Sequence, residues 1–181
     1  MPIDGARAFR PVRIALLTVS DSRTRADDRS GDALAERIIA AGHVLAERAL
    51  LRDDADDIVA LLHRWVDDET VDCVIITGGT GLTGRDVTPE ALARLGGKDI
   101  PGFGELFRWL SYAKIGTSTI QSRATACVAR GTYIFALPGS TGACKDGWDD
   151  ILRQQLDIRF RPCNFAELMP RLNEGKAPRS G

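Results

Sequence analysis

A chain of 181 residues, 44% of them hydrophobic, is long enough to fold as one globular domain around a substantial core. Its 24 basic and 25 acidic residues leave a formal net charge of −1, which argues against a general nucleic-acid binder, since those carry a basic excess or stripe. No apolar run approaches the ~20 residues that a membrane helix needs, and residues 1–11 (MPIDGARAFRP) lack the apolar centre of a signal peptide, so the expectation is a soluble, cytoplasmic protein with neither membrane nor nucleic acid as a partner. Cys73, Cys127, Cys144 and Cys163 show no short paired spacing, and His43 and His63 have no partner at ligand spacing. Cys73 in an apolar run and Cys127 in a helix-like stretch are expected as buried thiols, and neither a disulfide framework nor a His/Cys metal site is expected.

Arg13–Val19 (RIALLTV) reads as a strand buried on both faces, and the polar run at 20–30 (SDSRTRADDRS) follows it. A helix is expected over 31–41, capped by Ser30 and stopped by Gly42, and then a strand at Val44–Leu51. Ile58, Leu61, Leu62, Trp65 and Val66 fall at i, i+3, i+4, i+7 and i+8 behind the acidic caps of 53–57, the strongest helical stripe in the chain. A third buried strand at 71–77 (VDCVIIT) runs directly into glycines. Thr88, Pro89 and Glu90 then open a helix, with Thr88 as its N-cap and Pro89 at its first position. Further along, 96–104 reads as a loop, 105–112 and 120–129 as helical, and Thr132–Leu137 as a fourth strand. Trp148, Ile151, Leu152 and Leu156 mark a last helix.

Strands alternating with helices give an α/β fold, three layers with a mostly parallel sheet, as a single domain over 13–172. Residues 1–12 form an N-terminal extension and 173–181 a polar, mobile tail. In such a sheet the ligand site lies beyond the carboxyl ends of the strands. Three loops fall there, at 20–30, 77–88 and 138–142.

The segment 77–90 (TGGTGLTGRDVTPE) has the chemistry of a phosphate loop. Glycine permits positive φ and close approach of backbone N–H groups to an anion; the threonines add hydroxyls; the helix starting at Thr88 adds its N-terminal dipole. It carries neither the G-K-[ST] of a P-loop nor a G-x-G-x-x-G fingerprint. Asp86 within it would repel phosphate unless a cation intervened, and Mg²⁺ accepts one or two carboxylates beside phosphate oxygens. The alternative is that Asp86 only complements the helix dipole. Asp53, Asp54, Asp56 and Asp57 are read mainly as helix caps, although Asp53 falls where the second strand ends.

The motifs at 20–23 (SDSR), 76–91 (ITGGTGLTGRDVTPEA), 100–105 (IPGFGE), 117–124 (TSTIQSRA), 135–141 (FALPGST) and 161–165 (RPCNF) together resemble the B-type molybdenum cofactor biosynthesis proteins. These are relatives of the Mog-type molybdopterin adenylyltransferases and of the gephyrin G domain. The resemblance runs from about residue 13 to 172. It implies adenylylation of molybdopterin: the substrate's terminal phosphate attacks the α-phosphorus of ATP, with Mg²⁺ as cofactor, and pyrophosphate leaves. The product would pass to a molybdate-inserting partner. A non-catalytic protein of the same pathway, which only binds molybdopterin or serves as a scaffold, is the alternative.

By the same resemblance, Asp53 and Asp86 are the catalytic acids and the Mg²⁺ ligands, with Asp54 as the other candidate for the first position. Thr77, Gly78, Gly79, Thr80, Gly81 and Thr88 would face the nucleotide. Ser20, Asp21, Glu105, Ser122, Arg123, Pro138, Gly139 and Ser140 would surround the pterin. A homo-oligomer, trimer or hexamer, is also implied. Phe103, Phe107, Trp109 and Tyr112 suit either its interface or the core.

Overall fold

The computed structural model describes residues 3–174. Residues 175–181 lie outside that range, and with them most of the tail expected at 173–181. Helices on two sides enclose a six-stranded sheet of order β2-β1-β3-β6-β5-β4. Four of its strands, β1 (Arg13–Val19), β2 (Val44–Leu51), β3 (Cys73–Thr77) and β6 (Thr132–Leu137), run parallel. Every residue of β3 and β6 is buried, as two-faced coverage by helices requires, which is why both read as unbroken apolar runs. β2 is an edge strand and is only half-buried.

One face is covered by α2 (Ala55–Asp67) and α3 (Thr88–Arg94), whose apolar side chains pack on Leu17, Val74, Ile76 and Ile134. Ile58, Leu62, Trp65 and Val66 are fully buried, as their spacing predicts. On the other face α1 (Arg29–Ala40), α4 (Pro101–Ile115) and α5 (Thr141–Asp146) pack with Trp148 and Leu152 on Leu16, Ile75 and Phe135. The helix after β6 widens into a π turn over Gly147–Leu152 and ends as α6 (Arg153–Gln155); the short α7 (Phe165–Leu168) follows. Residues 3–12 are docked, with Ile3 bridged to Phe160 and Arg161 paired to Asp4 at 2.9 Å. The Val12 N–H donates to His43 Nδ1 at 3.1 Å.

Four local readings need correction. The N-cap of α1 is Asp28, which accepts from the Gly31 N–H at 3.0 Å, and Ser30 is buried in the first turn. Thr88 is not a cap: α3 begins on it, and its N–H donates to the Gly79 carbonyl at 2.9 Å. The stretch 96–104 is no plain loop, because it holds the short strand β4 (Lys98–Asp99) and the first turn of α4. The largest change lies at 120–129, read as helical. It is a 3₁₀ turn over Gly116–Gln121 and then β5 (Thr125–Ala129), antiparallel to β6. Arg130 and Gly131 both take positive φ, 49° and 87°, and close a two-residue hairpin between Ala129 and Thr132.

Candidate functional site

The order β2-β1-β3 means that the chain leaves β1 toward one edge and returns to its other side, so a crevice opens where the direction reverses. The loops after β1, β2, β3 and β6 meet over that point. The Ser20 N–H donates to the Leu51 carbonyl at 2.9 Å, and the Gly78 N–H to the Leu137 carbonyl at 3.0 Å, tying neighbouring loops together. Between them lies a cavity of about 570 Å³. Another hollow, of about 650 Å³, lies by the start of β1 around the Arg13–Asp72 ion pair, away from these loops.

The floor of the cavity is the Gly78–Gly79 turn, with φ of 105° and 64°. A Cβ on Gly78 would run into the Val19 carbonyl oxygen; one on Gly79 would meet the Thr88 hydroxyl and lie 3.0 Å from Asp53 Oδ1. The backbone is bare here because the adjacent loops sit directly against it.

Asp53 and Asp86 both line this cavity, on loops from different strands. Asp54 does not: its carboxylate caps α2, accepting from the N–H groups of Asp56 and Asp57 at 2.9 and 3.1 Å. The two cavity acids differ in character. Burial first, then the charges of Asp21 and Asp86, push the Asp53 carboxyl above its usual range, against the nearby Arg85. Burial acts on Asp86 in the same sense but is outweighed. The Thr83 hydroxyl and N–H, at 2.6 and 2.9 Å, with the Gly81 N–H and the charge of Arg123, hold Asp86 below the ordinary carboxylate value.

Gly78, Gly79, Thr80, Gly81, Ser20, Ser122, Pro138, Gly139 and Ser140 all line the cavity. Thr77 and Thr88 do not, and their hydroxyls are committed, to the Pro138 carbonyl at 3.1 Å and the Gly78 carbonyl at 2.9 Å. Asp21 stands at the margin, paired with Arg85 and accepting from the Asp53 N–H at 3.4 Å. Glu105 is exposed on α4, away from the cavity.

Arg123 is a clasp. Its Nε donates to the Gly81 carbonyl at 2.6 Å, its Nη2 to the Asp86 carbonyl at 2.8 Å, and its Nη1 pairs with Glu90, so both ends of the glycine loop are held from one side chain. Five further lining residues, Val19, Arg23, Arg85, Ser118 and Gln121, are not among the expected site residues. Both arginines stand inside motifs already singled out, SDSR and GRDVTPE; a cation embedded in a ligand-facing loop was the available signal.

Among the described residues no helix is long and apolar enough to cross a membrane, and no group of three or more His, Cys, Asp or Glu could hold a metal ion by itself. Residues 15–158 match the family model described as a probable molybdopterin binding domain. The chain is 50% identical over 157 residues to molybdenum cofactor biosynthesis protein B of Escherichia coli K12, covering 87% of this chain and 92% of that one. It is 42% identical over 146 residues to the Bacillus subtilis protein of the same name, covering 80% and 86%. A crystal structure of a molybdenum cofactor biosynthesis protein B superposes with a TM-score of 0.83 at 36% identity, over 92% of this chain and 98% of that one.

Proposed function

We propose, from the premise that this chain belongs to the molybdenum cofactor biosynthesis B proteins with their molybdopterin-binding domain, that it transfers AMP from ATP to molybdopterin. Its place in molybdenum cofactor biosynthesis follows from the family; the reaction is our reading. The observation that carries it is the position of Asp53 and Asp86, brought from the ends of β2 and β3 to one cavity beside a bare glycine loop. In the reaction a phosphate oxygen of molybdopterin forms a bond to the α-phosphorus of ATP. The bond from that phosphorus to the bridging oxygen of the β-phosphate breaks, and pyrophosphate leaves with the electron pair. The attacking phosphate is already ionised, so no catalytic base is needed, and the site's task is to orient two anions in line and offset their charge.

The chain's residues fit that task. The backbone of 78–81 offers close approach without side chains, and the Arg123 clasp fixes the loop that carries Asp86. The donor set would suit Mg²⁺ held by Asp53, Asp86 and nucleotide phosphate oxygens, with Asp21 at the margin committed to Arg85 and Asp53 Oδ1 lying over Gly79, where any side chain would crowd it. Bound there, Mg²⁺ would supply neutralisation of the phosphate charge. The subunits would assemble as a trimer or hexamer and pass the product to a molybdate-inserting protein. The test is to incubate the purified chain with molybdopterin, ATP and Mg²⁺ and assay the AMP adduct and pyrophosphate. Both should form in equal amounts; pterin binding without either would leave a carrier or scaffold.

A further inference from the structure

Three arginines stand in or beside the cavity within 20–30, 78–86 and 122–123, and two of them are already neutralised. Arg85 is paired with Asp21 and Arg123 with Glu90. Arg23 is half-buried and makes no ion pair among the described residues. Its two recorded bonds go to neutral oxygens: Nη1 donates to the Ser30 hydroxyl at 2.6 Å and Nη2 to the Gly139 carbonyl at 2.8 Å. Asp27 in the same loop feels the charge of Arg23 but makes no direct bond to it, accepting instead from the N–H and hydroxyl of Thr24 at 2.5 and 2.9 Å. A guanidinium has five N–H donors, so three remain for a ligand.

The arginine is held from beneath by a buried relay. Ser30, fully buried, donates to Asp28 at 3.4 Å while accepting from Arg23. Asp28, also fully buried, is fixed by Arg48 at 2.8 Å and by the Thr18 hydroxyl at 2.7 Å. Arg23 thus reaches the buried Asp28 carboxylate only through the Ser30 hydroxyl, and a half-buried cation with no carboxylate in direct contact gains from an anion that meets it. In the cavity wall the acids Asp53 and Asp86 come from the loops after β2 and β3, while Arg23 stands with Ser20 and bonds to the Gly139 backbone beside Ser140, from the loops after β1 and β6.

We propose that Arg23 is the specificity residue for the pterin substrate, receiving its terminal phosphate through the unspent edge of the guanidinium. The inference rests on molybdopterin being the ligand of this cavity. It assigns the acceptor phosphate to Arg23 and leaves Asp53 and Asp86 to the nucleotide. Arginine is suited to this because its planar fork matches phosphate while still holding Ser30 and Gly139; lysine offers only a point charge.

The test is a fluorescence titration of the full chain with molybdopterin and with the same pterin after phosphatase treatment. Wild type should bind the phosphorylated form roughly 10²-fold tighter, the order expected for losing one partner of a desolvated charge pair. R23Q should bind both forms with the same, weaker affinity. R23K, which keeps the charge and tolerates the fold, should show a reduced preference. A wild type indifferent to the phosphate, an R23Q chain that still discriminates, or an R23K chain equal to wild type each overturns the proposal. Discrimination by wild type that is lost in R23Q, with no AMP transfer by wild type, would sink adenylylation and leave Arg23 standing.

Discussion

Asp86 and Asp53 meet the same cavity under opposite constraints, and each yields a prediction. Asp86 is held ionised by Thr83 and the Gly81 N–H, so it is built to present a fixed charge. Asp86→Asn keeps the shape and removes the charge. Turnover should fall by about 10²–10³-fold, the range for losing one preorganised electrostatic group, while pterin affinity changes little. Wild-type turnover in that variant would return Asp86 to a helix-dipole role. Asp53 is raised by burial and by its acidic neighbours. A carboxyl whose folded-state pKa lies above its unfolded value of about 3.9 contributes stability that is complete below that pH and is lost as pH rises through the folded value. At neutral pH the charged Asp53 therefore opposes folding. Asp53→Asn should raise Tm at pH 7 by an amount on the order of 1 °C, with the gain shrinking toward pH 4, and should abolish turnover. Scanning calorimetry at the two pH values decides it; an unchanged or lower Tm at pH 7 would show that Asp53 is not under strain.

At the scale of elements, the hairpin between β5 and β6 depends on two residues. Gly131 at φ 87° has Asn173 packed where a Cβ would stand. Gly131→Ala should therefore cost at least the ~1–2 kcal/mol of a left-handed non-glycine residue, readable as a lower urea midpoint at unchanged slope. A midpoint equal to wild type would mean that the turn relaxes to another form. This hairpin also marks where the sequence stopped being legible. The parallel strands were readable because burial on both faces leaves them uniformly apolar, and α2 because its stripe has period 3.6. The segment 125–129 (TACVA) is too short and mixed to show a period: its two alanines suit a helix, while Thr125 and Val128 suit a strand. Its strand state comes from pairing with β6, a contact no local pattern encodes. The site divides in the same way. The glycines and Asp86 stand out in the string, Asp53 looks there like one helix cap among four and is singled out through the resemblance, and which hydroxyls are already spent is not visible at all. Thr77, Thr83 and Thr88 look alike in sequence, yet all three hydroxyls bond within the protein.

For the whole molecule, the aromatic cluster of α4 separates into two roles. Phe103 and Phe107 are buried in the core at 3% exposure each, while Trp109 and Tyr112 on the same helix are 71% and 58% exposed. Leu106, Ile115 and Ile120 extend the outer set through the 3₁₀ turn, with Ile120 at 76%. Large apolar side chains exposed this close together on one helix and its following turn are suited to a second copy of the chain. Its location ties assembly to chemistry, because Ser118 and Gln121 of that same turn line the cavity. Replacing both Trp109 and Ile120 by Glu should therefore do two things. In sedimentation velocity the wild type should run as a trimer or hexamer and the double variant as a monomer, with near-ultraviolet circular dichroism showing the core intact. In the same preparation pterin affinity should fall, since the turn carrying Ser118 and Gln121 loses its support. A wild type that sediments as a monomer would remove the interface, and a dissociated variant with full pterin affinity would show that each cavity is complete within one chain.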